Sequence, residues 1–156
     1  MRSKVNQLYA AYGSNMNLEQ MAHRCPYATV QGSAILHDYR LVFRGHSGSA
    51  VATVEPAEGC SVPILIWEIT PRCEEALDRY EGWPTFYRQE EIVVEYTGHI
   101  AKHRGKFVYV VAYIMNDGYP LGSPSERYLN SIVEGYRSAG FDTAVLDEAV
   151  RVSEGG

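Results

Sequence analysis

The sequence is short of the features that would assign it quickly. Its three cysteines, Cys25, Cys60 and Cys73, stand far apart with no C-x-x-C pair. That argues against a zinc site or a disulfide framework and for free thiols in a reducing compartment. Basic residues are scattered singly through a chain of net charge −5, so nothing resembles the clustered patch that holds nucleic acid, and no nucleic-acid partner is expected. No apolar run approaches membrane-spanning length, the longest strand-like one being Phe107 to Met115, and no membrane association is expected. The start, Met1 to Gln7, is basic but lacks the apolar stretch and small-residue cleavage site of a secretory signal. Flexible linkers, internal repeats and low-complexity runs are also missing. The expectation is one cytoplasmic domain spanning residues 1–156, with 1–6 and 153–156 flexible.

What is present begins near the N-terminus. Leu8 to Tyr12 is a short apolar, aromatic-rich run; Gly13-Ser14-Asn15 is turn chemistry; Asn17 precedes the helix formers Leu18 to Ala22. The order reads strand, tight turn, helix. Amides at a helix start seat a carboxylate or phosphate, and Gly13 lets a ligand reach the main chain. The same residues also read as a capped helix after an edge strand.

The first helix runs from about Asn17 to His23 and stops before Pro26. Gly32 to Arg44 is one strand broken near His37-Asp38, or two short ones. Residues 50–54 form a strand ending at Glu55-Pro56, and Val62 to Ile69 another. The loop Gly45-His46-Ser47-Gly48-Ser49 falls short of a nucleophile elbow, since its final glycine is a serine and no strand-turn-helix context follows. Thr70-Pro71 starts a helix whose apolar face is Cys73, Ala76, Leu77 and Tyr80, with Gly82 as left-handed cap. Glu81 therefore sits at a helix C-terminus beside Tyr80, Trp83, Phe86 and Tyr87. Both the dipole and the apolar neighbours raise a carboxyl pKa toward that of a general base. An exposed surface glutamate is the other reading.

Arg88 to Tyr96 and Phe107 to Met115 are strands joined by a polar loop. His99 and His103 in that loop have the i, i+4 spacing of helical zinc ligands but lack a third ligand, so no metal site is expected. Ser123-Pro124-Ser125-Glu126 reads as a capping box with proline at the first helical position. The helix it opens has the stripe Tyr128, Leu129, Ile132, Val133 and Tyr136 and ends at Gly140. A last helix spans about Asp142 to Val152, and the tail from Ser153 should fray. The string β-α-β-β-β-α-β-β-α-α suggests an α+β fold, a small mixed or antiparallel β-barrel flanked by helices.

Tyr9-Ala10-Ala11-Tyr12-Gly13-Ser14-Asn15, Asp78-Arg79-Tyr80-Glu81-Gly82, Phe86-Tyr87-Arg88, Ala112-Tyr113-Ile114-Met115 and Pro124-Ser125-Glu126-Arg127-Tyr128 occur in this order. Together they resemble the γ-glutamylcyclotransferase-like family over about residues 8 to 150. The resemblance implies a mixed β-barrel with surrounding helices. It implies that Tyr9, Ala10, Ala11, Tyr12, Gly13, Ser14 and Asn15 form the substrate loop, the Gly13 and Ser14 amides holding a γ-glutamyl α-carboxylate. Glu81 matches the family's catalytic glutamate, and Tyr87, Tyr113 and Tyr128 its pocket aromatics, with Tyr128 the best placed to bond substrate. The Y-G-S-N form is similar to the branch acting on γ-glutamyl amino acids. The glutathione-specific branch usually has leucine where Asn15 stands, and the γ-glutamylamine branch tends to Y-G-T-L. Trp83-Pro84 is typical of bacterial members.

The implied reaction is attack of the substrate's α-amine on its own γ-carbonyl, releasing 5-oxoproline and a free amine, as in glutathione metabolism. The nucleophile is tethered, so the enzyme mainly holds a near-attack conformer, and no metal or cofactor is called for. Glu81 would take the α-ammonium proton and return it to the leaving amine. Two other readings stay open: a binding module for γ-glutamyl ligands without turnover, and biosynthetic removal of a γ-glutamyl group from a larger amine. The leaving amine, the oligomeric state (a homodimer included) and whether Arg40, Arg44 or Arg88 reaches the pocket are not fixed by the residues.

Overall fold

Runs of β-branched and aromatic residues build five strands that, in the computed structural model describing residues 5–155, close into a barrel. They are β1 (Gln7–Ala11), β2 (Thr29–Arg44), β3 (Val51–Ile69), β4 (Tyr87–Tyr96) and β5 (Phe107–Met115). Their order around the barrel is β1-β3-β2-β4-β5. β5 meets β1 in parallel at Tyr9 and Val111, while the other neighbours are antiparallel. The sheet is therefore mixed, and closure gives every strand two neighbours. Leu36, Ile64, Ile66, Val94 and Ala112 are among the side chains in its fully buried core.

Residues 51–54 and Val62 to Ile69 belong to one strand rather than two, because β2 pairs with both, and Ala50 lies just outside it. Tyr39 faces Pro56 and His37 faces Ser61, so residues 57–60 bulge outward opposite Asp38. Asp38 takes a left-handed φ of 62° there, and its carboxylate accepts from the Gly59 amide at 3.0 Å. The break expected in β2 is that bulge.

Four helices among the described residues flank the barrel: α1 (Leu18–Arg24), α2 (Pro71–Glu81), α3 (Glu126–Ala139) and α4 (Ala144–Gly155). Thr70 caps α2 by accepting from Cys73 N at 3.1 Å, and Gly82 ends it at φ 67°. The buried face of α2 is rotated from the expected one: Glu74 and Asp78 are buried beside Cys73 and Leu77, while Tyr80 is 47% exposed. α3 is capped by Ser125, which accepts from Tyr128 N, and not by Ser123. The Ser123 carbonyl is taken by the Gly48 and Ala50 amides, which fasten the 45–50 loop. The expectation of a fraying tail is corrected at Ser153, which is buried; its hydroxyl accepts from Phe43 N at 2.9 Å, on the edge of β2 that has no strand partner. Of the N-terminal residues expected to be flexible, 1–4 lie outside the described residues, as does Gly156.

The expectation of free thiols is corrected as well. Cys25 and Cys73 are joined by a disulfide, while Cys60 is free and exposed. Their separation of 48 residues carries no local signal. It is the barrel that brings the end of α1 against the first turn of α2.

Candidate active site

β1 runs into a turn that is not yet helix: Ser14–Met16 form one 3-10 turn, and α1 starts only after Asn17, whose side chain accepts from Gln20 N. The first bond of that turn is Met16 N to Gly13 O at 3.0 Å. The Ser14 and Asn15 amides precede it and have no partner within the turn. α3 presses on the turn from behind, and this requires Gly135, where an added Cβ would lie 2.7 Å from the Met16 carbonyl carbon.

The turn forms one wall of a cavity of about 210 Å³. Tyr9, Tyr12, Gly13, Ser14, Asn15, Glu81, Tyr87, Tyr113 and Tyr128, all expected from the sequence, line it. Ala10 and Ala11 do not; their side chains are buried in the core, where β1 pairs with Ile66 and Leu65 of β3. Val51, Ala52, Tyr80 and Phe86 complete the lining. Gly13 faces Ala52 closely, since a Cβ there would lie 3.3 Å from the Ala52 methyl.

The tyrosine hydroxyls divide into two groups by what they do with their protons. Tyr12 donates to the Tyr113 carbonyl, Tyr87 to the Ala52 carbonyl at 2.6 Å, and Tyr113 to Asp78 Oδ1 at 2.6 Å. These three give their protons to the protein and serve as walls. Tyr9 instead accepts from Asn15 Nδ2 at 2.8 Å, and Tyr128 accepts from Ala52 N at 3.0 Å. Each of these two keeps its own O–H proton as a donor. Burial pushes all five hydroxyls upward in pKa, so they stay protonated.

Glu81 closes α2 and brings its carboxyl to the same cavity. Burial pushes that carboxyl up to about 7 from an ordinary 4.5, against the pull of the Arg24 guanidinium. Of the apolar neighbours expected around it, Phe86, Tyr87 and Tyr80 line the cavity, while Trp83 is 38% exposed and does not. Arg24 is the cation the sequence did not single out. It lies over the Tyr80 ring, 3.6 Å from its centroid. It donates to Ser14 Oγ at 3.3 Å, Gln20 Oε1 at 2.9 Å and Asn15 Oδ1. Asn15 thus ties Arg24 to Tyr9. Arg40 and Arg44 pair instead with Glu55, and Arg88 with Glu90, away from the cavity. Among the described residues no three His, Cys, Asp or Glu side chains group as metal ligands, and no helix is long and apolar enough to cross a membrane.

The family model described as "Gamma-glutamyl cyclotransferase, AIG2-like" matches residues 9–134. A human protein named gamma-glutamylcyclotransferase is 29% identical over 140 residues, covering 85% of this chain and 71% of its own length. A solved structure of a gamma-glutamyl cyclotransferase superposes with a TM-score of 0.80 at 25% identity, covering 92% of this chain and 86% of its own. A yeast cyclotransferase specific to glutathione, at 13% identity and a TM-score of 0.63, shares the fold; the match covers 96% of this chain and 97% of the yeast one.

Proposed function

The chain belongs to the gamma-glutamyl cyclotransferase, AIG2-like family, and from that premise we propose that it cyclises γ-glutamyl amides to 5-oxoproline, with Glu81 as the proton shuttle. The observation that carries the reading is geometric: one carboxyl and one amide-bearing turn, 67 residues apart in sequence (81 less 14), open onto a single cavity.

The α-carboxylate of the γ-glutamyl group rests on the amides at Gly13, the residue that caps the turn, and Ser14, the first residue within it, as an anion does at the start of a helical turn. The Tyr9 and Tyr128 hydroxyls supply further donors. Glu81 takes a proton from the α-ammonium and passes it to solvent, the freed amine attacks the γ-carbonyl, and as the new C–N bond closes the five-membered lactam the attacking nitrogen gives Glu81 a second proton. The original amide C–N bond then breaks as Glu81 gives that proton to the departing nitrogen. Substrate folding into the near-attack conformer, enforced by the close Gly13–Ala52 contact and the tyrosine walls, supplies most of the acceleration. The substrates are γ-glutamyl amino acids or amines.

Incubation of the purified chain with γ-glutamyl dipeptides, γ-glutamyl-lysine and glutathione, following 5-oxoproline, tests the proposal. Release from at least one of them is expected. Ligand binding without any 5-oxoproline would replace the enzyme with a binding module.

A further inference from the structure

The cavity of about 210 Å³ is smaller than the roughly 300–1,000 Å³ usual for a small-molecule site. A second cleft of about 370 Å³ adjoins it. The two share Val51 and Phe86, and the second continues over Tyr119, Pro120, His46 and Ser49. We infer that this annex receives the leaving group, and that it selects γ-glutamyl conjugates whose amine bears a bulky apolar group, aromatic or branched. The inference rests on the cyclotransferase reading of the main cavity.

Position is the first reason. The departing nitrogen must lie beside Glu81 to recover its proton, so whatever that nitrogen carries starts there. Phe86 follows immediately, its amide donating to the Gly82 carbonyl at 2.8 Å, and its ring meets Tyr119 edge-on at 5.0 Å between centroids. Towards α1, Arg24 is stacked on Tyr80 and bonded to Ser14 of the turn, and it lines the neighbouring groove rather than the cavity. The groove beyond Arg24, between α1 and α3, has no lining residue in common with the cavity.

Chemistry is the second. The annex has one guanidinium, Arg44, and it is already committed to Glu55 at 3.1 and 3.2 Å and to the Tyr119 carbonyl at 2.9 Å. An ammonium or carboxylate carried into the cleft would lose water and meet a guanidinium whose charge Glu55 already balances, whereas an apolar group would gain by leaving water. The carboxylate of an amino-acid leaving group can stay at the exposed rim by His46 and Ser49. The cleft is also preformed. Gly45 N donates to Pro120 O at 2.8 Å and Gly122 N to Phe43 O at 3.1 Å, so the 45–50 loop and the 119–123 segment are fastened together before substrate arrives.

The test compares kcat/KM for γ-glutamyl-phenylalanine, γ-glutamyl-leucine and γ-glutamyl-glycine, following 5-oxoproline, with Tyr119→Ala beside the native chain. Phenylalanine and leucine conjugates should exceed glycine by about tenfold or more, the discrimination a few methylenes give in an apolar pocket. Tyr119→Ala, its fold checked by thermal melting, should narrow the phenylalanine-to-glycine ratio. If that variant does not fold, the native panel decides alone. Turnover of the glycine conjugate as fast as or faster than the phenylalanine one overturns the annex but leaves the cyclotransferase standing, as does an unchanged ratio in folded Tyr119→Ala. Release from none of the three conjugates overturns the annex, and the cyclotransferase reading falls with it only when γ-glutamyl-lysine and glutathione release nothing either.

Discussion

Replacing Glu81 by glutamine tests the site through two independent measurements. Glutamine keeps the shape and removes the proton carrier, and general acid–base catalysis is worth about 10²–10⁴-fold, so kcat for 5-oxoproline release should fall by that factor. The second measurement is stability against pH. The carboxyl stands at about 7 in the fold against an ordinary 4.5, so the folded state favours the protonated form. Its contribution is complete below about pH 4.5 and is lost as pH rises through about 7. Two to three pKa steps correspond to about 3 kcal/mol, the cost of holding the ionised carboxylate in the cavity above neutrality. Glu81→Gln carries no such cost. Its melting temperature relative to the native chain should therefore climb between pH 5 and 8, by about 6–12 °C for a domain of this size. Activity of the native chain should rise over the same interval, because the base must be ionised to accept the α-ammonium proton. Turnover by Glu81→Gln within tenfold of native would refute the shuttle. A melting difference that is flat with pH would refute the buried carboxyl.

Gly13→Ala places a methyl 3.3 Å from the Ala52 Cβ and 3.6 Å from the Tyr128 hydroxyl. It should cut kcat/KM about 10²-fold through misplacement of substrate, with circular dichroism unchanged. Tyr128→Phe leaves the Ala52 amide without its acceptor, so urea denaturation should show a loss of about 1–3 kcal/mol, with kcat/KM falling as well. Removing the Cys25–Cys73 disulfide, which closes a 48-residue loop, should cost about 4 kcal/mol if loop entropy governs. The urea midpoint of the Cys25→Ser/Cys73→Ser double variant measures it, and no change would mean the bond contributes nothing.

What the sequence disclosed was chemistry that acts over a few residues. Thr70, Pro71 and Gly82 mark both ends of α2 because capping and left-handed turns are local, and the nine apolar and aromatic residues of β5 are a strand by their own composition. Where two local rules competed, sequence alone could not choose. Ser123 and Ser125 both make acceptable caps for α3, and the tie is broken by the 45–50 loop, which takes Ser123 for itself. The motif Tyr9 to Asn15 held residues of two kinds that only the barrel separates, since Ala10 and Ala11 are packing and Asn15 is a bridge. Ala52 lay in an ordinary strand pattern. Its part in the site, one backbone donor and one acceptor for two tyrosines, belongs to the main chain and leaves no mark in the residue type.

Arg24 shows why the site needs a cation nearby and yet no ion pair. A carboxylate gripped directly by a guanidinium is held well below the usual carboxylate range and returns a proton poorly at neutral pH. Here the donors of Arg24 go to the neutral oxygens of Ser14, Asn15 and Gln20, and its face to the Tyr80 ring. It therefore acts on Glu81 only through space, opposing burial without cancelling it. The residue that braces the Ser14–Met16 turn is thus also the one that limits the rise of the Glu81 carboxyl. The turn and the carboxyl are coupled through a single side chain at the end of α1, next to the cysteine that bonds α1 to α2.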